Sequence, residues 1–452
     1  MRMLSNLNIK RYPKQYLLIP LISLVGAILI MIFGQDSMYN KSIDIIIRTQ
    51  NNFNKLFGIE EDATDEKKIE GTFPRNMVFW VFSVLSSNYF YFFFLSLIYN
   101  FINVYKTFVL ALSIYFGNLV SSLVGLICHQ PRPYMVNYNI LPFIREAEWG
   151  QPSPQVVVAI SFYFSLWKII CAHKPYEGKI CKKICIGFFF IIWCGIFIFI
   201  HFVSGLMSID QLVVSFLLGF TVFTVMFYIF DLNVNNPAQF YGIVKVRFVY
   251  SFVLNLIITF FMIILYLFIE YEEDKVYYTD HLETQHKRFK GHTNYLEENI
   301  LYSFPLKEGT FTNSLCFLSN IIAILALKIE AIITYGKDYD EWKRQNFDDK
   351  TLHQGEDFGA DDYQYAESTQ WNHTSFIKIL FRCIICLVLS LAPFLLLFIP
   401  YGGWPEPLKF IIFSFGIYCY YSFGIFFLFK KLYFFLNLNN NVVQSLNYDE
   451  EY

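Results

Sequence analysis

The stretch Gly125-Leu-Ile-Cys-His-Gln-Pro-Arg-Pro133, followed a short loop later by Glu148-Trp-Gly-Gln-Pro-Ser-Pro-Gln155, closes one apolar run and opens the next. Proline in a first helical turn and serine at an N-cap are ordinary signs of a helix start. The pair therefore reads as helix end, polar loop and helix start. The flanking runs are close to the roughly 20 apolar residues that cross the ~30 Å hydrocarbon core of a bilayer.

Outward from this pair, about ten such runs can be marked: 16–34, 77–99, 108–128, 153–172, 184–204, 211–230, 248–269, 311–335, 375–399 and 410–429. With 55% apolar, 20% aromatic and 16% charged residues, the chain lies outside soluble averages. The expected fold is all-α, a polytopic transmembrane helical bundle, because lipid offers a backbone amide no partner outside its own helix. A net charge of -2 provides no general attraction for nucleic acid, and none is expected as a partner. The nine cysteines fall mostly in or beside apolar runs, as small hydrophobes do, and suggest no disulfide framework. Cys383 and Cys386 form a CxxC inside a run, where packing is a better reading than a metal or redox site.

Residues 1–15 carry Arg2, Lys10, Arg11 and Lys14 and no acid. A mitochondrial address and the positive-inside rule both explain that bias, the second more cheaply. With the N-terminus on the cytoplasm-like side, the connectors returning there carry Lys174, Lys179, Lys182 and Lys183, then Lys245 and Arg247, then Lys430 and Lys431. The loop 129–152 then falls on the opposite face. Residues 35–75 are polar but punctuated by Ile43, Ile45, Ile46, Ile47, Phe53, Leu56 and Phe57, which predicts a helix lying along the membrane or docking a partner. A sequon at Asn40 matters only in a secretory compartment.

The third run ends at Pro131-Arg132-Pro133, the fourth begins at Pro152-Ser153-Pro154-Gln155, and the fifth ends near Ser204, just before Asp210. Alternating helix directions bring these ends to one face. Pro-Arg-Pro and Pro-Ser by themselves are ordinary loop and helix-start residues; two ungapped matches at the right helix ends are what point further.

Those residues resemble the type 2 phosphatidic acid phosphatase superfamily, and within it the sphingosine-1-phosphate and long-chain-base phosphatase branch. The superfamily has Lys, six residues, then Arg-Pro in its first motif and Pro-Ser-Gly-His in its second. Its third is Ser-Arg, five residues, His, three residues, Asp. The resemblance also covers length and a core of six spans followed by four more. It implies three regions: 1–76, an N-terminal span and interfacial helix; 77–230, lipid-phosphatase-like core helices; and 231–452, four further spans with polar loops 270–310 and 336–374 and a polar tail.

In such enzymes the Lys and two Arg hold phosphate oxygens, one His attacks phosphorus, an Asp orients it, and a second His protonates the leaving group. Carried over, Arg132 matches the first-motif Arg, but Gly125 stands at the Lys position. Ser153 matches the second-motif Ser, but Gln155 replaces the proton donor and has no accessible pKa. With Asp210 as the third-motif Asp, Ile200 falls on the Arg and Leu206 on the nucleophile, or Met207 after a one-residue shift. The four positions are vestigial on this reading, and no catalytic residue is expected.

His201 lies five residues before the expected nucleophile, more than a helical turn away, and His129 reads as an interfacial or capping residue. Arg132 and Asp210 are expected to pair with each other or with polar backbone. Alternatively, Arg132 and the amides at Ser153 hold an anionic lipid headgroup.

The expected function is a catalytically inactive, lipid-phosphatase-like membrane protein serving as a structural or lipid-holding subunit of a larger assembly. Membrane lipids and other membrane-protein subunits are its expected partners. The alternative is an active phosphatase of sphingoid-base phosphate or phosphatidate with a rearranged site; a transporter or scramblase is a third reading. The inner mitochondrial membrane suits a scaffold without disulfides, while the family precedent is the endoplasmic reticulum. No haem, flavin or nucleotide motif occurs, and no cofactor or metal is expected. His281, His286 and His292 in 270–308 lack metal-ligand spacing, and the acidic run 337–370 reads as a solvated segment. Lys328, Glu330, Lys378 and Arg382 are expected to snorkel to the interface.

Overall fold

The computed structural model describes residues 14–56, 73–102, 104–137, 140, 149–171, 180–229, 237–268, 306–335, 375–393 and 411–438. The expected features of 1–13, 141–148, 172–179, 270–305, 336–374, 394–410 and 439–452 lie outside the described residues. Among the described residues every regular element is a helix. Six helices are long and apolar enough to cross a membrane: Val104–Val136, Pro154–Cys171, Ile180–Val203, Ile209–Ile229, Arg247–Phe268 and Asn313–Ile333. Such a set is compatible with a multi-pass membrane protein.

The chain forms two units. The first comprises Met1–Tyr91, Ser113–Phe230 and Phe261–Phe317; the second comprises Phe92–Leu112, Asp231–Phe260 and Leu318–Tyr452.

In the first unit α1 (Leu18–Leu29) runs on through a π turn to Gly34, and α2 (Gln35–Leu56) follows. The two directions differ by 83°. The helix predicted between the first two runs is therefore present, and it packs onto the unit itself. Its buried positions Ser42, Ile46 and Gln50 recur every four residues, one helical face. Ile209 N donates to Ser42 Oγ (3.0 Å), and Gln50 Nε2 donates to Val203 O (2.9 Å).

The single run 77–99 is two helices, α3 (Phe73–Ser86) and α4 (Asn88–Ile98), bent by 63°. Ser87 causes the break locally: its hydroxyl donates to Val84 O (2.7 Å) and accepts from Phe90 N (3.2 Å), ending one helix and capping the next.

The remaining helices of this region are α5 (Val104–Cys128), the single turn α6 (Pro133–Val136), α7 (Pro154–Cys171), α8 (Ile180–Val203) and α9 (Ile209–Ile229). Ala27, Val157, Val214 and Leu218 make a core shared by α1, α7 and α9. Gly219 allows the closest approach there, since a Cβ would lie 2.7 Å from Val157 O. Close packing of this kind replaces the hydrophobic drive that lipid does not supply. An aromatic cluster of Tyr91, Phe162, Tyr163, Trp193 and Phe197 fills the space between α4, α7 and α8. The outward face of α8 leaves Ile184, Phe188, Phe189, Ile191 and Phe199 exposed. An apolar surface of that extent suits lipid contact.

The later helices are α10 (Pro237–Phe268), α11 (Leu306–Leu318), α12 (Asn320–Tyr335), α13 (Phe376–Leu391), α14 (Ile417–Phe423) and α15 (Phe429–Phe435). In the second unit two charged side chains expected to snorkel are instead buried. Glu330 is held by Lys430 and Lys431, both at 2.9 Å. Arg382 donates from Nε to Leu438 O (2.9 Å) and lies over the Tyr433 ring. Burial becomes tolerable because each charge meets a partner inside the protein. Cys383 and Cys386 are free thiols, as are the other cysteines among the described residues.

Candidate functional site

The residues singled out in the sequence converge at one end of the first unit. At the exit of α5, His129 takes a left-handed φ of 50° while its N–H donates to Gly125 O (3.2 Å), which turns the chain into Gln130-Pro131-Arg132. Pro133 then occupies the first turn of α6, a position that needs no backbone donor. At the start of α7, Ser153 Oγ accepts from Val156 N (3.4 Å) and donates to Gln155 Oε1 (2.9 Å). Ser153 is thus a helix cap with Gln155 folded back onto it.

Between α8 and α9 the chain turns at Gly205, whose φ of 73° favours glycine. Leu206 and Met207 follow, both fully buried. Arg132 is itself completely buried, and its Nη1 donates to Leu206 O (3.4 Å), with Met207 Sδ at 3.9 Å. The two residues that the resemblance aligns with a nucleophile are therefore ones that Arg132 meets. Asp210 is also fully buried; its Oδ2 accepts from Gln130 Nε2 (2.9 Å). Among the described residues no ion pair joins Arg132 to Asp210. Of the two pairings expected, Arg132 makes the one with polar backbone.

Gln211 ties the three helix ends together. Its Nε2 donates to Pro131 O (2.8 Å) at the end of α5, and its Oε1 accepts from Ser208 N (3.0 Å) before α9. Its backbone carbonyl accepts from Ser215 Oγ (2.6 Å), which accepts from Ser153 N (2.8 Å) at the start of α7. Gly150 presses against the carboxamide; a Cβ there would lie 2.7 Å from Nε2. From outside this ring, Tyr39 of α2 donates to Pro131 O (3.2 Å).

The space beside Gly125 is occupied. A Cβ on Gly125 would lie 2.9 Å from Thr310 Cγ2, so α11 closes on the glycine. Thr310 is fixed there at both polar groups: its Oγ1 accepts from Trp149 N (3.1 Å), and its carbonyl accepts from Ser122 Oγ (3.0 Å).

The two histidines take different places. The His201 ring is buried and its Nδ1 lies 2.9 Å from Phe197 O, one turn back in its own helix. Because a carbonyl only accepts, that nitrogen carries a proton, so in a neutral ring the lone pair falls on Nε2. His129 packs edge-on against Trp149, with centroids 5.8 Å apart.

Gln130, Gln211, Ser215, Thr310 and Tyr39 were not singled out by the sequence reading. For Gln211 there was a signal, since a polar pair with Asp210 heads an otherwise apolar helix. Among the described residues no group of three or more histidine, cysteine or acidic side chains is placed to hold a metal ion.

The class that these features define is a helical protein with six helices fit to cross a membrane and a hydrogen-bonded polar cluster at one end of one unit. Compared with protein-family models, with curated proteins and with solved structures, the chain finds no match.

Proposed function

We propose that this chain is a catalytically inactive, lipid-phosphatase-like integral membrane protein that serves as a structural or lipid-holding subunit of a larger membrane assembly. The observation that carries the reading is the contact of Arg132 with Leu206 and Met207. In a type 2 phosphatidic acid phosphatase the corresponding arginine would hold phosphate in front of a nucleophilic histidine. Here the aligned residues offer an alkyl chain, a thioether and a carbonyl, none of which forms a phosphoenzyme.

Two further features support loss of chemistry. Gln155 shares its side-chain oxygen with the helix cap, and Thr310 fills the space a lysine would need at Gly125. The polar end of the unit then works as a clasp: Gln211 links α5 to α9, and Ser215 links α9 to α7.

On this proposal the membrane topology has ten spans. To the six long helices are added Leu18–Gly34, the bent pair Met77–Ser86 and Asn88–Ile98, α13, and the helical stretch that runs from Ile411 to Phe435. Six would form the phosphatase-like core. We place the protein in the inner mitochondrial membrane, with the endoplasmic reticulum as the alternative. The rival reading, an active phosphatase, has one observation in its favour: with Nδ1 donating to Phe197 O, a neutral His201 ring would carry its lone pair on Nε2.

Mild-detergent purification from native membranes, with mass spectrometry of the proteins and lipids that travel with the chain, tests the proposal. Stable co-purification with defined subunits is expected. A solitary chain that brings down no subunits would remove the assembly reading. Loss of bound phospholipid in Arg132→Ala, with the fold intact, would favour the lipid-holding form over the purely structural one.

A further inference from the structure

We propose that α8 carries an S-acylation site at Cys181 and Cys185, taking long-chain fatty acyl groups as thioesters. The inference is independent of whether the polar cluster binds a lipid or performs chemistry.

Both thiols are exposed, whereas Cys194 of the same helix is buried. At a spacing of four residues they lie one turn apart on one face, at the very start of a span that runs Ile180–Val203. A cysteine where an apolar helix meets the headgroup layer is the usual setting for reversible acylation. Lys182 and Lys183 stand between them, and Trp167 Nε1 of α7 donates to Lys183 O (3.2 Å), which fixes this end of α8 against its neighbour. Trp167 also packs on Gly187, where a Cβ would lie 2.9 Å from the indole. The thiols are therefore held on a positioned helix end.

What lies beyond the thiols suits an acyl chain. Ile184, Phe188, Ile191 and Ile192 continue the same exposed face, each about half exposed or more. Gly195 opens a notch in it, with nothing within 4 Å of where its Cβ would be. From Cys185 to Gly195 the helix rises about 15 Å, a length that an extended long-chain acyl group covers. The lysines supply the complementary attraction for the anionic carrier of the acyl group.

The step balances without any redox partner. The sulfur of Cys181 or Cys185, as thiolate, attacks the carbonyl carbon of a long-chain acyl-coenzyme A. The new S–C bond forms and the old bond from that carbon to the coenzyme A sulfur breaks. Coenzyme A leaves as a thiolate and takes up the proton that the cysteine gave.

The test uses the full chain from its own membranes, with free thiols blocked during lysis. Peptide mass spectrometry and a hydroxylamine-dependent label exchange at neutral pH are read at each cysteine. The expected result is a hydroxylamine-labile acyl mass on Cys181, Cys185 or both, lost completely in the Cys181→Ser/Cys185→Ser double variant and retained in Cys194→Ser. The wild-type mass measurement stands even if the double variant fails to accumulate. Free thiols at both positions, an adduct that resists hydroxylamine, or label confined to other cysteines would overturn the proposal.

Discussion

The buried acid of the second unit, Glu330, meets two lysines, whereas Asp210 of the first accepts from a carboxamide. At the polar cluster, Arg132 donates to a carbonyl and Asp210 accepts from an amide, although two opposite charges lie in one neighbourhood. In the second unit, Glu330 meets two lysines directly, and Arg382 is clasped by the Leu438 carbonyl and the Tyr433 ring. A carboxylate between two ammonium groups is self-sufficient. The comparison thus separates a buried acid held by ion pairs from one held by a neutral amide.

Five substitutions break or sharpen that contrast. The largest effect is expected at Gln211, because Gln211→Leu strands the buried Ser208 N, at about 1–3 kcal/mol, and removes one of the two hydrogen bonds that Pro131 O accepts, worth about 1 kcal/mol. A loss of about 3 kcal/mol should appear in thermal unfolding in detergent, and an unchanged midpoint would dissolve the clasp. Next is Glu330→Gln, which leaves Lys430 and Lys431 facing a neutral amide. Both lysines are partly exposed, so we expect about 2 kcal/mol, between the ~3 of a buried pair and the ~1 of an exposed one.

Gly125→Ala should cost about 1–2 kcal/mol through overpacking against Thr310 Cγ2. Thr310→Ser removes that methyl but keeps the hydroxyl that Trp149 N uses. In a double-mutant cycle the serine should return most of the loss, a coupling of about 1 kcal/mol; additive losses would mean that Thr310 does not fill the space beside Gly125. The smallest effect is expected for Asp210→Asn, at under about 1 kcal/mol, since the carboxamide oxygen still accepts from Gln130. In an active phosphatase the same change would disable the nucleophile's partner.

Much of this architecture was legible in the sequence, and the reasons for the rest are physical. Apolar run length marked the helices because a bilayer sets one thickness for all of them. Ile43, Ile46 and Phe53 predicted α2, but not where it docks: two of its polar residues, Ser42 and Gln50, make the contacts to Ile209 and Val203. The bend at Ser87 was hidden inside a run that stays apolar on both sides. Arg382 read as an interfacial residue because its acceptor, Leu438, lies far along the chain. Thr310 was invisible for the same reason, being brought to Ser122 and Gly125 only by the fold. Convergence of Arg132, Ser153 and Asp210 at one end did follow from helix alternation. What did not follow is that Arg132 donates to the Leu206 carbonyl.

The most direct test of a phosphatase scaffold without phosphatase chemistry is phosphate release by the purified full chain from a long-chain-base phosphate and from phosphatidate. Wild type and His201→Ala would be read side by side. The account predicts no release above the protein-free control for either protein. Phosphate release by the wild type that disappears in His201→Ala would contradict it, and would assign the displaced imidazole as the nucleophile.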